Sequence, residues 1–251
     1  MNEKIKIVVL AAGVGTRMKN ELPKVLVKLN DRPIIKHLLE SIHESGIDNR
    51  PVIVVGYKKE EVMRELGKEH YDYAVQEEQL GTGHAVLSAE KMLKGNGEHV
   101  LVLYGDSPFI SAETIKKLVA KHLESKGKIT MATIIVPDFK DWRSIYDKSF
   151  SRIVRDANGK IVKDVQIRDT KDEEKKITEV NACFLIFNAK WLWEKLKTLD
   201  RNNEQKQYYL TDLIEKAIKE GEEIESISID PREGLAANSK EELEILEKLE
   251  V

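Results

Sequence analysis

The sequence predicts an α/β protein whose sheet is mostly parallel and is covered by helices on both faces. Two observations lead to this prediction. Short runs of apolar, often β-branched residues alternate along the chain with segments whose apolar residues recur at helical spacing. The short runs are apolar throughout, which is typical of strands buried on both faces. Regular alternation of strand and helix favours parallel pairing through crossover connections.

The first 136 residues follow this alternation closely. We predict strands at Ile5–Leu10, Pro51–Gly56, Tyr71–Val75, His99–Tyr104 and Ile129–Val136. We predict helices at Ile34–Glu44, Glu60–Leu66, Thr82–Leu93 and Ala112–Ser125. Gly46 is the expected stop of the first helix.

The pattern changes after Pro137, where charged residues become dense. Asn158-Gly159 predicts a hairpin, with strands at Arg152–Arg155 and Ile161–Gln166. The remaining elements are strands at Val180–Phe187 and Ile224–Ile229 and helices at Trp191–Leu199, Leu210–Glu220 and Ser239–Leu249. Ser239, with Glu242 three residues later, indicates a capping box. No repeat or low-complexity linker divides the sequence, so we predict one domain.

Composition argues against several classes of function. The formal net charge of -3 gives no basic field for nucleic acid. Cys183 is the single cysteine, which fits a reducing compartment. No apolar stretch is long enough to span a bilayer, and the apolar run at the N-terminus lacks a cleavage site. We therefore expect a cytoplasmic protein, a monomer or dimer, that binds neither nucleic acid nor membranes.

A glycine loop, Ala11-Ala12-Gly13-Val14-Gly15-Thr16-Arg17-Met18, follows the first strand. Its small residues let backbone N–H groups approach an anion. Met18 replaces the third glycine of a dinucleotide fingerprint, and the Gly-Lys-Ser/Thr of a P-loop is absent. Arg17 and Lys24 could grip a triphosphate and stabilise a departing pyrophosphate. A plain tight turn with solvated charges is the alternative.

These residues resemble the signature G-x-G-T-R-M…P-K of sugar-phosphate nucleotidyltransferases. The segment QEEQLGTGHAV at Gln76–Val86 is similar to the uracil-binding loop of the N-terminal uridylyltransferase domains of the GlmU family, which act on N-acetylglucosamine 1-phosphate. Tyr104–Pro108, Asn181 and Tyr208–Asp212 match in the same order. The resemblance covers almost the whole chain. It implies a Rossmann-like doubly wound sheet (the nucleotide-diphospho-sugar transferase fold), with ligands beyond the carboxyl ends of the strands.

The resemblance implies transfer of a uridylyl group from UTP to a sugar 1-phosphate, with release of pyrophosphate. The sugar phosphate attacks the α-phosphorus in line, so no protein nucleophile is needed. The implied catalytic residues are Arg17, Lys24 and Asp106. Asp106 is also the implied ligand of Mg²⁺, which prefers hard oxygen atoms, and Asn238 is the implied second ligand. For Asn238, a helix cap is the alternative.

Gln76 is the residue implied to recognise uracil, because an amide matches the N3–H and carbonyl of that base. Thr82 is expected at the base or ribose, and His84 only as a residue at a helix start. The implied nucleotide-binding set is Ala11, Ala12, Gly13, Gly15, Thr16, Gln76, Gly81, Thr82, Tyr104 and Gly105.

The sugar-binding half departs from the family pattern. Ser151 and Cys183 stand where glycines are usual, and Gln166 stands where a glutamate contacts the sugar. A neutral hydrogen bond contributes about 0.5–1.5 kcal/mol and a charged one about 1.5–3 kcal/mol. The implied sugar-binding set is Ser151, Gln166, Asn181, Tyr208 and Thr211. N-acetylglucosamine 1-phosphate is the expected substrate, with glucose or galactosamine-type 1-phosphates as alternatives.

The resemblance also implies a division of the single domain. Residues 1–136 form the nucleotide-binding half, about 137–225 a small sugar-binding lobe, and 226–251 a closing strand and helix. Full-length relatives continue into a β-helix acetyltransferase domain, whose hexapeptide repeat is not found here, so we expect no acetyl-CoA chemistry. Two other functions stay open: a related enzyme using CTP or dTTP, and a non-catalytic protein that binds UDP-sugars.

Overall fold

The computed structural model describes residues 4–15, 22–125, 127–203 and 205–249 of the 251. Its strands are β1 Ile5–Ala11, β2 Lys28–Leu29, β3 Arg32–Pro33, β4 Val52–Val55, β5 Asp72–Val75, β6 His99–Tyr104, β7 Ile129–Ile135, β8 Arg152–Arg155, β9 Ile161–Val165, β10 Glu179–Asn188 and β11 Ile224–Ile229. Its helices are α1 Ile34–Ser45, α2 Lys59–Leu66, α3 Thr82–Ser88, α4 Glu90–Leu93, α5 Ala112–Glu124, α6 Ser144–Ser149, α7 Asp172–Lys175, α8 Ala189–Leu196, α9 Asp212–Lys219 and α10 Lys240–Leu249.

The main sheet is mixed and mostly parallel, as predicted. Its strand order is β11-β7-β10-β6-β1-β4-β5, and β8 joins β9 to β10. Parallel pairs link β1 to β4 and β6, β4 to β5, and β7 to β11. Strand β10 runs antiparallel to both β6 and β7. The predicted strand β11 lies at one edge of the sheet.

Helices cover both faces of the sheet, which confirms the doubly wound prediction. Successive side chains of a strand point to opposite faces, so β1 contributes to two separate cores. Ile7 and Val9 pack with apolar residues of α1, α5 and α10. Val8 and Leu10 pack with those of α3, α8 and α9. The apolar run of β1 follows from this burial on both sides.

The strand order reverses between β1 and β6. From β1 the chain adds β4 and β5 on one side, and it then crosses over to add β6 on the other. Such a reversal opens a crevice at the carboxyl ends of the two strands, where doubly wound proteins bind ligands. The loop 12–15 leaves β1 at this point, and Gly105 and Asp106 follow β6. The two ends are joined by the Gly105 N–H, which donates to the Leu10 carbonyl at 2.9 Å.

Several predicted boundaries need correction. The helix predicted at Thr82–Leu93 is two helices, because the chain tightens at Ala89, whose N–H donates to the Val86 carbonyl three residues back. The charged segment after Pro137 contains two short helices, α6 and α7, that were not predicted, and neither was the β2–β3 pair. Within the described residues, no helix has the length and apolar character needed to cross a membrane.

The capping box before α10 forms in part. The Ser239 hydroxyl accepts the Glu242 N–H at 3.2 Å, as predicted. The Glu242 carboxylate instead accepts the N–H of Asn238 at 2.7 Å, one residue before the expected partner. This contact fixes the backbone of Asn238 relative to the helix.

Candidate active site

The glycine loop after β1 lies against Lys24. Gly15 has a φ of +67°, and a Cβ added there would lie 2.6 Å from the Lys24 Cβ. Glycine is therefore required at this position by both conformation and space. Ala11 and Ala12 are buried below the loop, and Gly13 is exposed. Thr16 and Arg17, both predicted to bind the nucleotide, lie outside the described residues.

Lys24, Asp106 and Asn238 meet at the carboxyl end of β6. Lys24 begins a 3-10 turn directly after Pro23. Its ammonium group donates to the Asp106 carboxylate and, at 2.6 Å, to Asn238 Oδ1. The Lys24 and Asp106 side chains are only 13% and 17% exposed. The Ala237 N–H donates to the Asp106 carbonyl at 3.1 Å and so holds the segment before α10 against the β6 loop.

The two oxygen-bearing side chains of this cluster fit the ligand preference of Mg²⁺. A carboxylate and an amide oxygen already contact one cationic centre, the Lys24 ammonium group. Within the described ranges, no group of three or more His, Cys, Asp or Glu residues is arranged to hold a metal ion. Magnesium commonly takes one or two protein ligands and completes its shell with waters and phosphates. Asp106 and Asn238 suit that kind of site.

Gln76 lies just after β5 and is buried, with 3% of its surface exposed. Its amide nitrogen donates to the Gly81 carbonyl at 3.0 Å and contacts His84 Nδ1 at 3.1 Å. Both amide hydrogens are therefore used within the loop. His84, predicted only as a helix-start residue, orients the amide, and its ring stacks on Tyr208 with centroids 6.4 Å apart. The sequence signal for His84 was its place inside the QLGTGHA block.

The segment around Tyr208 docks on this loop through its backbone. Gly81 has a φ of +109°, and a Cβ there would lie 2.6 Å from the Tyr208 carbonyl oxygen. The Tyr208 N–H donates to the Leu80 carbonyl, and the Tyr208 carbonyl accepts the Gly83 N–H, both at 2.8 Å. The Thr82 hydroxyl accepts the Leu210 N–H at 2.9 Å. Thr82 therefore has a structural contact that sequence reasoning did not anticipate.

Tyr104 connects the loop at Gln76–Val86 to the charged cluster formed by Lys24, Asp106 and Asn238. Its phenol hydrogen-bonds the Thr82 side chain, and burial raises the pKa of Tyr104, with the charges of Cys183 and Asp106 adding to that effect. Tyr104 ends β6, two residues before Asp106. The residues predicted for the nucleotide thus lie along one continuous edge of the sheet, as far as they are described.

A second polar cluster contains Ser151 and Asn181, both buried. Asn181 Nδ2 donates to Asp164 Oδ2 at 2.7 Å, and Asn181 Oδ1 accepts the Cys183 N–H at 2.7 Å. Burial raises the pKa of Asp164 to about 6, although hydrogen bonds from Ser151 and Asn181 act in the opposite direction. Sequence reasoning missed Asp164. The indication in the sequence was an aspartate, a residue that strands disfavour, inside the predicted strand β9.

Cys183 lies between the two clusters. It has a φ of +63°, within an irregular part of the β10–β7 pairing between Asn181 and Leu185. Glycine adopts this conformation without strain, which is a physical reason for the glycine that the resemblance led us to expect here. Burial raises the pKa of the Cys183 thiol to about 12, and the nearby carboxylates of Asp164 and Asp106 contribute.

Gln166 and Thr211, which were also predicted to bind the sugar, are not part of this cluster in the hydrogen bonds described. Gln166 is exposed at the end of β9, where its carbonyl accepts the Asp169 N–H at 2.8 Å. Thr211 directly precedes α9, and its carbonyl accepts the Ile214 N–H at 3.0 Å. Among the described contacts, the side-chain partner of Asn181 is Asp164 rather than Gln166. Burial raises the pKa of Asp212, at the start of α9, to about 6, with Asp200, Glu215 and Asp164 adding to the shift.

This fold, with charged and amide side chains gathered at its switch point, is that of a nucleotide-binding α/β domain. Residues 7–210 match the family model of the MobA-like NTP transferase domain. The chain belongs to this family of nucleotidyltransferases.

Curated relatives and a solved structure agree with that assignment. The chain is 36% identical to the bifunctional protein GlmU of Caldicellulosiruptor saccharolyticus over 99% of its own length and 52% of that protein. It is 40% identical to the GlmU of Carboxydothermus hydrogenoformans over 96% and 52%, respectively. The chain thus spans about half the length of the curated relatives it matches. A Bacillus anthracis structure, assigned as a glucose-1-phosphate thymidylyltransferase in complex with a sucrose, superposes with a TM-score of 0.78, covering 98% of this chain and 94% of that one at 19% identity.

Proposed function

We propose that the chain is a uridylyltransferase that joins a sugar 1-phosphate to the α-phosphate of UTP and releases pyrophosphate. The observation that carries the proposal is the convergence of Lys24, Asp106 and Asn238 at the carboxyl end of β6, beside the glycine loop. A cation and two oxygen ligands at a switch point suit a triphosphate and its magnesium ion. The likeness to GlmU proteins supports UTP and N-acetylglucosamine 1-phosphate as the substrates.

The chemistry needs positioning and charge neutralisation. An oxygen of the sugar phosphate attacks the α-phosphorus, the bond from that phosphorus to the bridging oxygen of the β-phosphate breaks, and pyrophosphate leaves. Lys24 stabilises the charge on the phosphates, together with Arg17. Asp106 and Asn238 would hold Mg²⁺, which would supply further charge neutralisation. The backbone of residues 11–15 and Gly105 lines the phosphate path.

Gln76 supports recognition of a base that carries an N3–H group. Its amide hydrogens are used by Gly81 and His84, and among the described residues nothing donates to its Oε1. An amide oxygen accepts a hydrogen bond and cannot donate one. Uracil offers N3–H as a donor, whereas N3 of cytosine is an acceptor. The proposal therefore includes a preference for UTP over CTP, while discrimination against dTTP depends on contacts other than this one.

Pyrophosphate release tests the proposal. With Mg²⁺, UTP and N-acetylglucosamine 1-phosphate, the protein should release pyrophosphate, and CTP should support little turnover. Asp106→Ala should lower kcat by roughly 10²–10³, since it removes a group that acts on the reacting phosphates. Asp172→Ala, at a carboxylate that is 93% exposed on α7, is the matched control and should have no effect.

Two results would contradict the proposal. Undiminished turnover of UTP by Asp106→Ala would remove the residue on which the site is built. Binding of UDP-sugars without pyrophosphate release from any of UTP, dTTP or CTP would instead identify a binding protein. A panel of glucose, galactosamine-type and N-acetylglucosamine 1-phosphates identifies the sugar in the same assay.

A further inference from the structure

One carboxylate oxygen of Asp164 is buried and accepts no hydrogen bond from the described residues. Asp164 Oδ2 accepts from Asn181 Nδ2 at 2.7 Å, but Oδ1 is buried and has no hydrogen-bond partner among the described residues. A buried carboxylate oxygen without a donor is costly, so proteins rarely keep one without a reason. The reasons that recur are a strained structural role or a ligand that supplies the donor.

The position of Asp164 favours a ligand. The Cys183 N–H donates to Asn181 Oδ1, and Asn181 Nδ2 donates to Asp164. The Cys183 thiol also lies within electrostatic reach of both Asp164 and Asp106. Asp164 also lies within reach of Asp212, at the start of α9. Asp164 thus lies with Asn181 and Ser151, two of the residues expected to bind the sugar.

The neighbours of Asp164 have already used their polar groups. Asn181 donates to Asp164 through Nδ2 and accepts from the Cys183 backbone through Oδ1. Ser151 also interacts with the Asp164 carboxyl group, but it makes no hydrogen bond to Oδ1. Gln166 is exposed at the end of β9. Of this cluster, Asp164 Oδ1 is therefore the strong acceptor whose hydrogen bond the described residues leave unmade.

We propose that Asp164 is the residue that selects the sugar: its Oδ1 accepts a hydrogen bond from a hydroxyl or amide N–H of an uncharged hexose. This rests on the proposed function, because it places a sugar phosphate in the same crevice. The carboxylates of Asp164 and Asp212 together repel a sugar that bears its own carboxylate. The pocket thus accepts neutral hexoses with a donor in reach and excludes sugar acids.

Titration calorimetry with UDP, UDP-N-acetylglucosamine and UDP-glucuronic acid tests this proposal. Each is measured in the presence of Mg²⁺. The wild-type protein should bind UDP-N-acetylglucosamine more tightly than UDP, and UDP-glucuronic acid more weakly than UDP-N-acetylglucosamine. In Asp164→Asn, the ratio of the affinity for UDP-N-acetylglucosamine to the affinity for UDP should fall about tenfold. This is the fold-change expected for one charged hydrogen bond. UDP-glucuronic acid should bind better, and UDP itself should be unaffected.

Two variants make the result specific to Asp164. Asp172→Asn changes the net charge equally on an exposed part of α7 and should match the wild type with all three ligands. Asp164→Glu keeps the negative charge but moves it, so UDP-N-acetylglucosamine should weaken while UDP-glucuronic acid stays excluded. If Asp164→Asn does not fold, Asp164→Glu is sufficient to test the proposal. A purely structural role of Asp164 would change the affinities for the neutral and the charged UDP-sugar alike.

The outcomes separate the two proposals. Failure of the wild-type protein to bind UDP would overturn the proposed function. Normal UDP binding, together with unchanged preference among the three ligands in both Asp164 variants, would overturn the role of Asp164 alone.

Discussion

Cys183 shows how one residue can carry backbone strain beside a site. Its φ of +63° lies in the left-handed region, where a non-glycine residue costs about 1–2 kcal/mol. The N–H of Cys183 donates to Asn181 Oδ1, so this conformation also fixes the Asn181 amide. The strain is therefore linked to the orientation of a side chain proposed to line the sugar pocket.

We expect Cys183→Gly to raise the free energy of unfolding by about 0.5–1 kcal/mol, because glycine removes the strain but loses more chain entropy on folding. Urea denaturation measures this difference. Gly159→Ala is the matched reverse change, at a φ of +80° with nothing within 4 Å of the added Cβ, and should be destabilising. If the Cys183→Gly variant is less stable than the wild type, the backbone at Cys183 is not strained.

Asp164 makes stability depend on pH in an unusual direction. Burial raises the pKa of its carboxyl group to about 6 from an ordinary value of 3.8. The folded state then holds its proton more tightly than the unfolded chain does, so stability falls as pH rises from about 3.8 to about 6. Asp164→Asn should be more stable than the wild type by roughly 2–3 kcal/mol at pH 7. The difference should vanish near pH 3 in denaturation curves; a constant difference would contradict this account.

Among the elements, the contact between α3 and the segment before α9 depends on Gly81. The Gly81 conformation and the close approach of the Tyr208 carbonyl leave no room for a side chain. The same contact positions Gln76, because Gln76 Nε2 donates to the Gly81 carbonyl. Disturbing the docking should therefore reach the proposed base site directly.

Gly81→Ala should lower UDP affinity at least about tenfold, because the added methyl group moves both the Tyr208 segment and the partner of Gln76. Gly67→Ala is the control: Gly67 has a φ of +74° at the end of α2, with nothing within 4 Å of the added Cβ. The Gly67→Ala variant has the conformational cost of a side chain at positive φ but no clash. It should therefore keep its UDP affinity in calorimetry. Equal losses in the two variants would show a general effect of destabilisation.

A histidine pair joins α5 to the opposite end of the sheet. His122 Nδ1 contacts Thr130 Oγ1 at 2.8 Å, and its Nε2 contacts His99 Nδ1 at 2.9 Å. Burial, together with the neighbouring His99, lowers the pKa of His122 to about 4. The sequence showed scattered histidines, and only the folded sheet brings these two together.

His122 should therefore weaken the protein in acid. Its pKa in the unfolded chain is near the ordinary value of 6.5, so the unfolded state gains protons first as pH falls. The contribution of neutral His122 to the free energy of unfolding is fully present above pH 6.5. About 3 kcal/mol of it is lost as pH falls to about 4. His122→Gln should flatten this dependence in unfolding curves, whereas His70→Gln, at a side chain 76% exposed, should not.

Considered as a whole molecule, the protein shows which features the sequence determines locally. Strands β1, β4 and β6 are buried on both faces, so their continuous apolar runs were sufficient to predict them. Helices α6 and α7 span six and four residues in a charged segment, which is too short for a periodic signal. The part played by Asp164 could not be predicted, because it depends on β8 and β9 folding against β10.

The charged cluster unites distant parts of the chain. Lys24 and Asn238, whose side chains share a hydrogen bond, are separated by 214 positions. Sequence reasoning identified both residues but could not show that they touch. The contact depends on α10, since Leu246 packs fully buried in the core and Glu242 accepts the Asn238 N–H. The closing helix thus positions a proposed metal ligand.

Glu242→Ala tests that coupling across the molecule. Without the carboxylate, the Asn238 backbone loses its contact at 2.7 Å, so the amide oxygen is held less firmly next to Asp106. We expect the Mg²⁺ concentration for half-maximal turnover to rise severalfold, since metal sites lose about 10- to 100-fold in affinity or activity when supporting contacts are removed. The KM for UTP at saturating Mg²⁺ should change little. Glu244→Ala, at an exposed position of the same helix, controls for lost charge and helix propensity. If the two variants show the same Mg²⁺ dependence, the helix stabilises the fold without positioning Asn238.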